Sequence, residues 1–198
     1  MRTETHNPYA EHSRRWESFQ YVYPVISRRS RGLSIGINLN PDTLCNFDCV
    51  YCQVHKQDHP RPKEVDPVRL REELSVMLGE VASGEVWSHP GFAEIEPTLR
   101  RLNDIAFSGD GEPTTCKTFP QIVDMVTQLK NGLGLHDTKI VLITNATLLN
   151  RKPVQAAIGV MDDNQGEVWA KLDAGTEPYY RRVDRSAVPF KTILDNIL

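Results

Sequence analysis

Leu33, Ile35, Ile37 and Leu39 alternate with smaller or polar residues in LSIGINLN, a period of two that predicts a strand over residues 33–40. Further on the period lengthens. In DPVRLREELSVMLGEVASG, Leu70, Leu74, Met77, Leu78 and Val81 fall on one helical face, with Asp66 as N-cap, Pro67 in the first turn and Gly84 as the stop. DIAFSG (104–109) reads as a second strand running into a glycine-bearing loop. FPQIVDMVTQLKNG reads as a helix with Ile122, Val123, Val126 and Leu129 inward. KIVLITNA is nearly continuous in apolar residues, as a strand covered on both faces requires. A helix over about residues 151–160 carries Val154, Ala157 and Ile158; EVWAKLDAG is then a fourth strand, and FKTILDNIL opens a fourth helix. Residues 54–67, rich in His, Lys and Pro, form a loop by composition, and residues 85–103 carry no assignable period.

Strand–helix alternation with connections of crossover length predicts parallel strands and an α/β fold. Four strands do not close a barrel, and the chain stops inside an apolar helical pattern with no C-cap. Either the chain is an open four-stranded α/β sheet or it is a fragment of a larger α/β fold, and the fragment is the favoured reading. Residues 32–198 would be this core and residues 1–31 a polar, basic extension. In that extension Arg14, Arg15, Arg28, Arg29 and Arg31 interleave with Trp16, Phe19, Tyr21 and Tyr23. It either packs its aromatics and solvates its charges, or presents a surface to an anionic or nucleic-acid substrate.

Composition narrows the class. The 198 residues are 39% hydrophobic and 25% charged, as in ordinary globular domains, and a net charge of -3 gives no global basic field. Four cysteines, three of them within LCNFDCVYCQ, do not make a secreted disulfide framework. MRTETHNPYAEHSRRW lacks the apolar core of a signal peptide, and no run reaches the length of a membrane span. A reducing, cytoplasmic setting away from membranes is expected.

In parallel α/β folds, reactive groups gather at the carboxyl ends of the strands, where the loops share one crevice. Those ends here are LCNFDCVYCQ, SGDGEPT, TNAT and KLDAG. Thiolates are soft ligands, so Cys45, Cys49 and Cys52 can converge on one centre. A cube of four irons normally takes four cysteines. Three leave one iron open to an outside ligand, which turns an electron carrier into a reaction centre. The rival is a closed Cys3His zinc knuckle of Cys45, Cys49, Cys52 and His55, with a nucleic-acid-binding role. Cys116 reads as a bystander and His55 and His59 as solvated loop residues. PYYRRVDRS (178–186) serves equally as a substrate contact on the active rim or as a charged loop of local salt bridges. SGDGEP lacks the lysine of a phosphate-binding P-loop, which excludes that reading.

The segment with Cys45, Cys49, Tyr51 and Cys52 closely resembles the cluster loop of the radical SAM superfamily: Cys, three residues, Cys, one residue, an aromatic, Cys. The resemblance implies that the three thiolates hold a [4Fe-4S] cluster. Its open iron would be chelated by the amino and carboxylate groups of S-adenosylmethionine, with Tyr51 near the adenine. SGDGEPT resembles the family's glycine-rich turn, with Asp110 where a second glycine is commoner. By the same resemblance Gly109, Asp110, Gly111 and Glu112 face the methionine amino group, while Asn145, Lys171 and Asp173 serve the methionine carboxylate and the ribose. The likeness covers about residues 33–198, and four strand–helix units are visible where the family has six, so the resemblance implies a partial parallel (β/α) barrel truncated at its C-terminus. It implies an oxidoreductase chemistry. A flavodoxin- or ferredoxin-like partner supplies one electron, S-adenosylmethionine is cleaved, and a 5'-deoxyadenosyl radical abstracts hydrogen from a substrate. SIGINLNP, DCVYCQ, FSGDGEPT and KLDAG look most like the branch related to tRNA wyosine-base synthesising enzymes. That makes tRNA the first substrate candidate; a glycyl-radical protein, as for an activating enzyme, is the second.

Overall fold

Five strands lie side by side in chain order: β1 (Val22–Ser27), β2 (Gly32–Ile37), β3 (Leu102–Phe107), β4 (Lys139–Thr144) and β5 (Gly166–Ala170). The computed structural model describes residues 18–27, 29–54 and 62–198; Arg14, Arg15, Trp16, Arg28, His55 and His59 lie outside the described residues. β2 to β5 are parallel and β1 is antiparallel to β2. Helices α1 (Pro67–Ser83), α2 (Phe119–Gly132), α3 (Lys152–Asp162), α4 (Glu177–Val183) and α5 (Phe190–Ile197) fill the connections and the end. The arrangement is the expected α/β partial parallel barrel, with four strand–helix units.

Strand alternation divides the sheet into two unlike faces. Leu33, Ile35, Ile37, Ile105, Phe107, Ile140 and Leu142 are fully buried against Leu70, Leu74, Met77, Ile122, Val123 and Val126 of α1 and α2. The opposite face carries Ser34, Gly36, Asp104, Ala106, Val141, Glu167 and Trp169, in registers that set Ser34 beside Asp104 and Asp104 beside Lys139. Tyr23 of β1 crosses this face over Gly36, where an added methyl would run into its ring. Its hydroxyl reaches Ser108 Oγ at 2.9 Å.

α1 begins where its capping residues direct: Asp66 Oδ1 accepts from the Val68 and Arg69 amides at 2.9 and 3.2 Å, and Gly84 ends it in the left-handed region at φ 80. Glu73 sits on the buried face of this helix, 5% exposed. Its carboxylate accepts the Gln20, Tyr21 and Val22 amides at 2.8, 2.7 and 3.2 Å, and Arg69 Nε at 2.9 Å. One helical carboxylate thus fixes the entry of β1.

The structure departs from the sequence reading in three places. Residues 22–27, placed in the extension, form a fifth strand; Pro24 obscures its pattern but is tolerated because β1 is at the sheet edge. PYYRRVDRS is mostly helix: α4 is seven residues long with Tyr180 as its buried residue, too short to show a period. The strands expected to reach Asn40 and Gly175 stop at Ile37 and Ala170, where polar residues turn to side-chain bonding.

Candidate functional site

The carboxyl ends of β2 to β5 surround a cavity of about 560 Å³. Its lining includes Cys45, Cys49, Tyr51 and Cys52 from the loop after β2, the turn Gly109–Glu112 after β3, Asn145 after β4 and Lys171 after β5. All three of these cysteines are free thiols, as is Cys116, which lies apart beside Thr118. Among the described residues no three His, Cys, Asp or Glu side chains form a ready-made ion cage, although the three thiols line the same cavity. Burial pushes the Cys45 and Cys49 thiols up from their ordinary pKa; the Phe47 amide opposes this at Cys45 and the Tyr51 hydroxyl opposes it at Cys49.

The turn after β3 is built by packing. At Gly109 (φ 157) a methyl would meet the Asn38 side chain, and at Gly111 it would meet the Leu44 carbonyl and Asn40. Glycine therefore lets the turn lie against the end of β2 and the start of the cysteine loop. Asp110 is drawn in the same way: Asn38 Nδ2 donates to its carboxylate at 2.7 Å, while its own amide donates to Asn38 Oδ1 at 3.0 Å.

Glu112, 2% exposed, is the hub of the rim. Its carboxylate accepts the Thr114 amide and hydroxyl at 3.2 and 2.5 Å, the Thr144 hydroxyl at 2.6 Å and the Asn145 amide at 2.7 Å. Asn145 in turn donates from Nδ2 to Asn46 Oδ1 at 2.7 Å and accepts from the Thr147 amide and hydroxyl at 3.1 and 2.8 Å. Asn46 Nδ2 closes the ring on Thr147 Oγ1 at 2.7 Å. The sharp turn at Ala146, a buried alanine with φ 64, is held by the Asn196 side chain at 2.7 Å.

Lys171, Asp173 and Tyr51 form one cluster at the mouth. Lys171 Nζ donates to the Tyr51 hydroxyl at 2.8 Å, lies 4.8 Å from the centre of its ring and pairs with Asp173 at 3.4 Å. The Tyr51 hydroxyl donates to Asp173. Burial, with the Asp173 hydrogen bond adding to it, pushes the Tyr51 phenol above its ordinary range.

Every site residue named from the sequence thus lies on or beside one rim, but several have partners within the protein. Glu112 and Asn145 tie loops together, and Asp173 joins the rim through Tyr51 and Lys171. Sequence reasoning missed Asn38, Asn40, Asn46, Thr144 and Asp184. The run INLN held one available signal, since side-chain amides at a strand end suit capping of a neighbouring turn.

A partial parallel barrel with free thiols, glycine turn and polar strand ends on one cavity defines a cofactor-binding α/β domain. Residues 39–197 match the family described as the Radical SAM superfamily, and the chain belongs to that superfamily. Its members use a [4Fe-4S] cluster and S-adenosylmethionine. The chain is 24% identical over 162 residues to a protein named GTPase Obg from Brachyspira hyodysenteriae, covering 82% of this chain and 20% of that protein. It is 31% identical over 181 residues to UPF0026 protein MJ1312 from Methanocaldococcus jannaschii, covering 88% and 46%. The chain therefore spans less than half the length of either relative. The solved structure described as TYW1 with a lysine-pyruvate adduct bound superposes with a TM-score of 0.48 at 17% identity, covering 85% of this chain and 51% of that one. Among the described residues no helix is long and apolar enough to cross a membrane.

Proposed function

We propose that this chain holds a [4Fe-4S] cluster through Cys45, Cys49 and Cys52 and binds S-adenosylmethionine in the adjoining cavity. The observation that carries the reading is that all three thiols of one short loop line the same cavity as the turns after β3, β4 and β5. Soft thiolates in a set of three fit a cube with one open iron, and the cavity beside them has room for a cofactor. When bound and reduced by one electron, the pair supplies a 5'-deoxyadenosyl radical for hydrogen abstraction.

The protein's part is to bind and orient. Gly109, Asp110 and Gly111 line the cavity and offer backbone carbonyls to the methionine amino group, while Glu112 fixes that turn. Lys171 offers a cation to the methionine carboxylate, and the Tyr51 ring offers an adenine-sized face beside it. Asp173 holds the Tyr51 hydroxyl in place and is the acceptor for ribose hydroxyls. A flavodoxin- or ferredoxin-like protein in the cytoplasm supplies the electron, and tRNA is the favoured substrate.

Anaerobic reconstitution with iron and sulfide tests the first claim. The wild type should take up about four irons and release 5'-deoxyadenosine with dithionite and S-adenosylmethionine, and each Cys→Ala variant should do neither. Deoxyadenosine from Cys49→Ala, or a colourless wild type holding a single zinc, would refute it. For tRNA, affinity should fall steeply between low and moderate salt; no affinity at either removes that substrate.

A further inference from the structure

The loop that carries the thiols has no regular structure of its own, so something outside it must set its shape. Besides the bonds of Asn46 to Asn145 and Thr147 and of Tyr51 to Lys171 and Asp173, a set of its contacts falls on the end of α4. The Asp48 amide donates to the Asp184 carbonyl at 3.0 Å and the Val50 amide to the Val183 carbonyl at 2.9 Å. The Ser186 hydroxyl donates to the Asn46 carbonyl at 3.2 Å. Phe47 packs edge-on against Tyr180, ring centres 5.7 Å apart. The Asp184 side chain, 2% exposed, faces the loop: Cys49 Sγ lies 3.6 Å and the Tyr51 hydroxyl 3.4 Å from its Oδ1.

We propose that residues 183–186 are a clamp that gives the cysteine loop its binding shape before any cluster arrives, with Asp184 as its positioning residue. Two loop amides, two residues apart, are held by the adjacent carbonyls of Val183 and Asp184 that end α4. They leave the intervening residue, Cys49, with its sulfur turned to Asp184. The clamp lies more than 130 residues along the chain from the thiols it positions. The importance of the proposal for catalysis rests on the function proposed above; the clamp itself does not.

Amide hydrogen exchange on the cluster-free chain tests it. In the wild type the Asp48 and Val50 amides should be protected despite lying in an exposed loop. Asp184→Ala should speed both at least tenfold and leave Ile105 and Leu142 in the sheet unchanged, whereas Asp184→Asn, which keeps an acceptor of the same shape, should stay near the wild-type rate. After reconstitution, Asp184→Ala should lose iron to a chelator at least tenfold faster than wild type, and Asp184→Asn should not. Because both amides bond main-chain carbonyls that the alanine keeps, wild-type exchange at both in Asp184→Ala overturns Asp184 as the positioning residue. If that variant unfolds, seen as fast exchange at Ile105, Ser186→Ala decides: faster exchange around Asp48 supports the clamp, and unchanged exchange overturns it. Protected amides in a chain that takes up no iron would sink the proposed function and leave the clamp standing.

Discussion

The two edges of the sheet are finished in opposite ways. At one, β1 is almost wholly buried, pinned by Glu73 and laid over Gly36 by Tyr23. At the other, β5 is buried at none of its five positions, and its Glu167 meets Lys139 with both side chains in contact with water. Two carboxylates on the same face register the contrast. Asp104, 2% exposed on the middle strand β3, has its pKa raised by burial, which outweighs the hydrogen bond from Ser34. Glu167, in the open half, has its pKa lowered by Lys139 and then by the Trp169 indole N–H. The same residue chemistry is a cost where water is excluded and a small gain where it is not.

Breaking the pinned edge should cost most. Glu73→Ala strands three backbone amides at once and should lose about 3 kcal/mol in a urea titration, with fast exchange at Gln20, Tyr21 and Val22. An unchanged midpoint would mean β1 is held by its ladder to β2 and by packing, without help from Glu73. Gly36→Ala pushes a methyl into the Tyr23 ring and should lose about 2 kcal/mol; pairing it with Tyr23→Ala should recover part of that loss by emptying the space. The smallest effects lie with the two carboxylates, where pH supplies the sign. A raised folded pKa means that Asp104 adds stability only in acid and loses it as pH rises through that pKa, so Asp104→Asn should melt higher than wild type at pH 7, the gap closing toward pH 4. Glu167 has the reverse sign: its contribution is present at neutral pH and fades as pH falls through its lowered pKa. Glu167→Gln should therefore melt slightly lower at pH 7, by no more than about 0.5 kcal/mol, and match wild type in acid. Equal behaviour of the two variants across pH would erase the distinction between the buried and the open positions on this face.

What could be read from the chain was what local pattern encodes. The apolar periods placed β2, β3, β4, α1 and α2, and Asp66 with Gly84 set both ends of α1. The cysteine loop was legible because its spacing is a property of eight consecutive residues. The partners of the site residues were not. Glu112 bonds across 33 residues to Asn145, and Asn46 bonds across 101 to Thr147, distances at which no spacing rule operates. Glu73 looked like one more charge on an amphipathic helix, because nothing local says that three amides at the entry of an edge strand will stop above it. β1 and α4 were hidden for a simpler reason: a proline in a short strand and a helix of two turns carry too little pattern to be seen.

The linked side chains of Glu112, Asn145, Asn46 and Thr147 carry a thermodynamic consequence. They knit the ends of two strands to the thiol loop through bonds that need no ligand to form. Much of the ordering entropy of the pocket is thus lost during folding, so a ligand that enters it meets a preorganised wall and keeps more of its own contact energy as affinity.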